Sequence, residues 1–291
     1  MTRTVVVTGG SAGIGLAAAK RFAAAGDRVI LLGRNESRLA SALEATRTAA
    51  AASAGARGQE PLAIRADFAD PSQVRAAAEQ VRAACDRVDV LVNNAGGLFR
   101  GATCLRVNHL AGFELAHLLL DHLKAAATPG HPARLITTAS LAEAWGVLDV
   151  DRPLRESLWH RSRWLAYGSS KQANVLFTVE AARRWTPLGI LPTAYFPGLV
   201  RSRFATTSPL FMLGKLIPVL FASPHRATDT LLWLADAPAP DLAPGGYYFL
   251  RRPFAATPRA TSPHRAARLW QSSLTAMDET ATDKTATDEL P

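Results

Sequence analysis

The strongest constraint on the fold lies close to the N-terminus. Thr4-Val-Val-Val-Thr8 is a short β-branched run, and it passes directly into Gly9-Gly10-Ser11-Ala12-Gly13-Ile14-Gly15, where an amphipathic helical pattern begins. Glycines at 9, 13 and 15 let backbone come close to an anion. A helix N-terminus adds free N–H groups and the positive end of its dipole. The turn therefore suits a dinucleotide pyrophosphate, with Gly9, Ser11, Gly13, Ile14 and Gly15 as its wall. The same glycines would also serve a tight strand-to-helix turn that binds nothing. The strand before and the helix after favour the phosphate.

The rest of the chain alternates. Val29–Leu32, Leu62–Ala66, Val88–Val92, Leu135–Thr138, Leu191–Phe196 and Tyr247–Leu250 read as strands. Gly13–Ala25, Pro71–Ala84, Val107–Ala126, Gly168–Arg184 and His225–Ala235 read as helices. Strands separated by helices of this length imply right-handed βαβ crossovers. The expected fold class is α/β: a single Rossmann-type doubly wound domain, with a mainly parallel seven-stranded sheet flanked by helices, over residues 1–271. Residues 272–291 are rich in Thr, Asp and Ala without apolar periodicity, and are expected to form a disordered acidic tail.

Composition limits what such a domain could bind. The net charge is +9, from 33 Lys and Arg against 24 Asp and Glu. Nucleic acid, anionic lipid or a phosphorylated ligand could each use such a field, but so could a merely solvated surface. The arginines are scattered, without a basic block or interleaved aromatics, so no nucleic-acid partner is expected. No uncharged apolar run reaches the ~18 residues that a membrane-spanning helix needs. The nearest, Leu210–Ala222, is broken by Lys215 and Pro218. Cys85 and Cys104 lack metal-ligand spacing, so neither a metal site nor a disulfide scaffold is expected. The N-terminal run reads as a buried strand, not a signal peptide, which makes cytoplasmic residence the default.

The second strand should end beside an adenosine ribose, where a carboxylate would hold the 2′-hydroxyl of NAD and a cation would accept a 2′-phosphate. The residues there are Leu31-Leu32-Gly33-Arg34-Asn35, with no acid before Glu36. Arg34 thus favours NADP(H), although an arginine at a strand end can also be simply solvated.

At Tyr167-Gly-Ser-Ser-Lys171 a phenol and an amine stand four residues apart on a helical pattern, hence on one face. A phenol of pKa ~10 becomes useful in acid–base chemistry near neutrality when a cation favours its ionised form. Alone, such a pair could equally be a surface pair on a helix. Together with Asn93-Asn94-Ala95-Gly96, Ser140 and Pro197-Gly198, in this order, it resembles the short-chain dehydrogenase/reductase superfamily over roughly residues 4–250. Val107-Asn108-His109-Leu110 and Ser169-Ser170-Lys171-Gln172-Ala173-Asn174 resemble the branch of retinol dehydrogenases and bacterial aromatic polyketide ketoreductases of the daunorubicin C-13 type.

The resemblance implies an NADP(H)-dependent oxidoreductase. Tyr167 is then the general acid or base, and Lys171 lowers its pKa and meets the nicotinamide ribose. Ser140 orients the substrate oxygen, and Asn108 helps to hold a relay water. Asp67 would meet the adenine amine with Phe68 beside it. Asn93, Asn94, Ala95 and Gly96 would line the cofactor, and Pro197, Gly198 and Val200 would border the carboxamide.

Two spacings depart from the family pattern. Only eleven residues separate Gly96 from Asn108, which shortens the approach to the fourth helix and weakens the expectation of a homo-oligomer. The 26 residues between Ser140 and Tyr167 form a long insertion carrying Trp145, Trp159, His160 and Trp164. It is expected to wall a cleft for a bulky, apolar or aromatic carbonyl, unless its tryptophans only pack the insertion down. Ser202–Pro224, rich in Phe and Leu, is expected to cover the substrate, with attachment to a membrane surface the lesser reading because its polar face has few cations. The alternative is a non-redox enzyme of secondary metabolism, a cyclase, epimerase or dehydratase using the same Tyr167 and Ser140.

Overall fold

The computed structural model describes residues 2–52, 60–155, 161–200 and 221–288. Its strands are β1 (Thr4–Thr8), β2 (Arg28–Gly33), β3 (Leu62–Arg65), β4 (Val90–Asn93), β5 (Ala133–Thr138), β6 (Ile190–Tyr195), β7 (Leu199–Val200), β8 (Phe221–Ala222), β9 (Tyr247–Phe249) and β10 (Arg252–Pro253). Among the described residues, eight of them form one sheet in the order β10-β9-β6-β5-β4-β1-β2-β3. Seven run parallel, as the strand–helix alternation requires. The eighth, β10, is antiparallel to β9 and adds an edge beyond the seven strands expected. The turn between them is Leu250-Arg251, at φ 50 and φ 61. A two-residue hairpin loop needs positive φ at both positions and is usually signalled by Asn-Gly, so Leu-Arg concealed it.

The strands are near-continuous apolar runs because both faces are covered. Val6, Ile30, Leu91 and Leu135 face one core with Val74, Phe113, Phe177 and Trp270. Val5, Val7, Leu31 and Ile136 face the other with Phe22, Leu39 and Leu231. From β1 the chain winds outward through β2 and β3, then returns to place β4 on the other side of β1. The crevice between the C-terminal ends of β1 and β4 is the switch point where such sheets bind ligands.

The first three helices are α1 (Gly13–Ala24), α2 (Glu36–Ala51) and α3 (Pro71–Ala84). The single helix expected over Val107–Ala126 is divided. A π-helical turn at Arg106–Leu110 joins α4 (Gly101–Leu105) to α5 (Ala111–Leu118), and a break at Leu119 precedes α6 (Leu120–Ala126). The long α7 spans Arg163–Trp185, starting earlier than its sequence pattern, so Tyr167 lies within the helix and not at its start.

The C-terminal helix, Pro263–Asp288, departs from the expected disordered tail. Residues beyond 271 pack: Ser273 and Ala276 are buried, and the Thr280 carbonyl accepts from Arg75 Nη2 at 2.9 Å. Beyond Trp270 the buried side chains with described burial are the small Ser273 and Ala276, with Leu274 packed partly buried against the core, too sparse a pattern to read as apolar periodicity. Of Ser202–Pro224, residues 202–220 lie outside the described residues, as do Trp159 and His160.

Candidate active site

Thr8 closes β1 and fastens the crevice. Its Oγ1 donates to the Val92 carbonyl at 3.1 Å and accepts from the N–H groups of Asn94 at 2.8 Å and Ala95 at 2.9 Å. Asn94 Nδ2 returns a bond to the Thr8 carbonyl at 2.9 Å. Asn93, one residue back, donates from Nδ2 to the Gly112 carbonyl at 3.0 Å and so supports α5 from below. The strand ends carrying the glycine turn and the Asn-Asn-Ala-Gly loop are thus cross-tied.

The turn between them can take a pyrophosphate. Gly9 and Gly13 have φ of 67 and 57, which glycine adopts at little cost. A Cβ on Gly15 would fall 2.3 Å from the Gly9 carbonyl oxygen, whereas one on Gly13 would meet nothing within 4 Å. Gly15 is therefore a packing glycine, and Gly13 keeps a space open. Ala12 caps α1 without a side-chain hydrogen bond, and the first turn has no acidic residue. Its leading N–H groups are left to an anion.

Arg34 follows β2 with its side chain exposed, and its carbonyl accepts from Arg65 Nε at 3.4 Å. Asp67 Oδ1 accepts from Ala69 N–H at 3.0 Å, which fixes the turn after β3. Phe68 is buried in the core, so only its backbone faces that turn. Gly198 has φ 82, after Pro197 at the end of β6, and Val200 lies in β7, paired with Ala222 of β8.

Ser140, Tyr167 and Lys171 come together beside this crevice. Ser140 follows β5 and caps a short 3₁₀ turn, Leu141–Trp145, with its Oγ accepting from Ala142 N–H at 3.2 Å. Its hydroxyl also hydrogen-bonds Tyr167. Lys171, one helical turn beyond Tyr167, is buried, donates from Nζ to the Thr138 carbonyl at 2.8 Å and sits 5.5 Å from the tyrosine ring centroid. The lowering of the phenol expected from Lys171 is not what dominates. Burial pushes Tyr167 above the usual tyrosine range, with the Ser140 hydrogen bond pulling the other way. Burial also brings Lys171 down to about 8.

Asn108 reaches the same place despite its short approach, from within the π-helical turn. Its Oδ1 accepts from Gly97 N–H at 2.8 Å, and its Nδ2 donates to the Gly97 carbonyl and to Ser170 Oγ, both at 2.9 Å. A Cβ on Gly96 would stand 3.1 Å from Asn108 Oδ1 and 3.8 Å from Lys171 Nζ. The bare α-carbon of Gly96 marks the gap between them. With a further contact from Nδ2 to Cys104 Sγ at 3.4 Å, the amide braces the Asn-Asn-Ala-Gly loop against α7. π-turns occur preferentially at functional sites.

Four further residues take part here that had no role at the site assigned from sequence. Thr138 offers one carbonyl to Lys171 and, at 3.1 Å, to Asn174. Cys104 Sγ lies 3.8 Å from Ser170 Oγ, and burial raises its thiol pKa. Gly146 and Gly168 meet backbone to backbone: a Cβ on Gly168 would fall 2.7 Å from the Ala142 carbonyl oxygen and 2.9 Å from Trp145 Cδ1. Only the glycine beside Tyr167 carried any trace of this in the sequence.

The family description "short chain dehydrogenase" matches residues 3–150. A protein of Streptomyces sp. strain C5, named as a daunorubicin C-13 ketoreductase, is 41% identical over 286 residues, covering 95% of this chain and 93% of its own. The chain belongs to the short-chain dehydrogenase/reductase family. Human retinol dehydrogenase 12 is 32% identical, covering 93% of this chain and 85% of its own. Among solved structures, L-sorbose reductase of Gluconobacter frateurii, complexed with NADPH and L-sorbose, superposes with a TM-score of 0.67 at 25% identity, covering 86% of this chain and 95% of its own. This short-chain dehydrogenase/reductase is an oxidoreductase of a family that uses nicotinamide dinucleotides and small-molecule substrates. Among its described residues no helix is long and apolar enough to cross a membrane.

Proposed function

We propose that the protein is an NADPH-dependent ketoreductase acting on a bulky, apolar or aromatic secondary-metabolite carbonyl of the polyketide kind. The observation that carries the substrate class is the surface beside Ser140. Leu141, Trp145 and Val147 are 44%, 45% and 37% exposed, and they account for most of the large exposed hydrophobic side chains among the described residues. Such a patch next to reactive groups suits an apolar ligand. The Streptomyces relative named as a daunorubicin C-13 ketoreductase supports a polycyclic aromatic ketone.

The glycine turn, the uncapped start of α1 and the Gly96 gap fit a dinucleotide. Arg34 would meet its 2′-phosphate, with Arg65 nearby. A bound nicotinamide supplies the hydride. Tyr167 donates its phenolic proton to the carbonyl oxygen, and burial, which keeps that phenol protonated, suits the reducing direction. Ser140 donates a hydrogen bond to the same oxygen. The Lys171 ammonium orders the ribose side of the site, and Asn108 holds the loop against α7.

Purified protein should oxidise NADPH stoichiometrically with an aromatic polyketide ketone, and more slowly with small polar ketones. Tyr167→Phe should lower kcat by about 10³-fold, within the range of proton-transfer catalysis. Arg34→Ala should raise the KM for NADPH about tenfold, a loss of ~1.4 kcal/mol, and leave that for NADH unchanged. The proposal fails if no aromatic ketone consumes NADPH and Tyr167→Phe behaves as the parent does. Conversion of such a compound without nicotinamide consumption would instead favour a cyclase, epimerase or dehydratase.

A further inference from the structure

We infer that Glu143 is a positioning residue, holding the turn that carries Ser140 in register with α7 by clamping Thr257. The inference rests on the reductase reading of Ser140 and Tyr167. Glu143 lies within the Leu141–Trp145 turn and is only 2% exposed. Its carboxylate has no cation partner among the described residues. Both oxygens are spent on one residue: Oε1 accepts from Thr257 N–H at 3.0 Å and Oε2 from Thr257 Oγ1 at 2.6 Å.

Burying a carboxylate on neutral donors is costly, and packing alone would be served as well by apolar side chains. What apolar groups cannot supply is direction. Two bonds from the N–H and hydroxyl of one residue fix both the distance and the orientation of the turn.

The backbone of Glu143 completes the clamp. Its N–H donates to the Ser140 carbonyl at 3.1 Å, and its own carbonyl accepts from Gln172 Nε2 at 3.3 Å. Gln172 follows Lys171 on α7, and its Oε1 accepts from Arg265 Nη2 at 3.1 Å, a group that also reaches the Leu148 carbonyl at 3.1 Å. Glu143 is therefore joined to Ser140 behind it, to α7 beside it and to the segment after β10 through Thr257. Releasing the carboxylate frees the turn to rotate, and the Ser140 hydroxyl moves relative to Tyr167.

Glu143→Ala should lower kcat for ketone reduction about 30-fold, since a misplacement near 1 Å costs roughly 10²-fold. Its Kd for NADPH should stay within about twofold of the parent, because the glycine turn is untouched. Thr257→Val, which removes the hydroxyl and keeps the N–H bond, should show a smaller loss in the same direction, Thr257→Ser should restore parental kcat, and the Glu143→Ala/Thr257→Val double variant should be no slower than Glu143→Ala alone. Amide hydrogen exchange across Leu141–Trp145 should rise in Glu143→Ala and Thr257→Val and remain parental in Thr257→Ser. Unchanged exchange in that turn, additive losses in the double variant, or kcat retained where Tyr167→Phe abolishes turnover would each overturn the clamp. If Tyr167→Phe itself keeps parental turnover, it is the reductase reading that falls, and the exchange experiment still decides the clamp. Should Glu143→Ala not fold, the Thr257 pair decides it alone.

Discussion

Thr8 shows how much a single hydroxyl can organise. It makes three bonds, two of them to consecutive N–H groups of the loop that would line the cofactor. Thr8→Val keeps the shape and loses all three, leaving the half-buried Ala95 N–H without this partner at a cost of about 1 kcal/mol. The expected outcome is a lower urea midpoint together with weaker NADPH binding, measured by fluorescence titration, while Thr8→Ser stays close to the parent. Lys171 offers a second test. Its ordinary pKa is well above neutrality and burial brings it to about 8, so its charge is present below that pH and lost above it. Reduction should therefore slow above about pH 8, and Lys171→Arg, which keeps its charge, should remove that alkaline limb from the pH–rate profile. The Tyr167/Lys171 pair was legible in sequence because its spacing is local and helical. The Glu143–Thr257 contact was not, since its partners stand 114 positions apart and neither belongs to a motif.

The elements were legible wherever apolar periodicity set them, as in β1 to β6 and α1. They were hidden wherever backbone geometry did the work. Nothing in Arg106-Val-Asn-His-Leu110 signals a π-turn, because the extra residue is accommodated by packing. Similarly, Leu250-Arg251 forms a hairpin turn that its side chains do not favour. The contact of Gly168 with the Ser140 turn is of this kind. Either glycine could be read as a helix or loop glycine, yet together they let the turn and α7 meet at backbone distance. Gly168→Ala would force the turn off the helix. Turnover should fall by about 10²-fold, the scale expected for displaced catalytic groups. NADPH binding should persist, since Gly168 has no part in the glycine turn. Single-turnover kinetics beside a binding titration would separate the two effects.

At the scale of the whole molecule, the C-terminal helix closes an aromatic cluster over α5 and α7. Trp270 lies 5.1 Å from Phe113, 4.9 Å from His117 and 5.1 Å from Trp185 between ring centroids, and the Arg184 guanidinium sits 4.9 Å over its ring. His109 is buried beneath, with Nε2 3.1 Å from Ser273 Oγ and, among the described residues, no hydrogen-bond partner for Nδ1. Burial pushes His109 down to about 4, and lowers His117 as well. An unfolded histidine titrates near 6.5, so between about pH 6.5 and 4 the unfolded chain binds protons that the native one refuses. Stability is therefore complete above that window and falls as pH is lowered through it, by roughly 3 kcal/mol for His109 at 1.36 kcal/mol per unit. Asp70 and Glu180 are both held low by their hydrogen-bond partners, so they too lose stability as pH falls, but only through their own lower folded pKa values. A variant isolates the histidine contribution from this background. Urea midpoints measured from pH 7 to 4 should decline in the parent, and the decline should be shallower in His109→Phe, which keeps an aromatic ring in the cluster and cannot titrate. Equal slopes for the two proteins would mean that His109 is not held neutral beneath the helix.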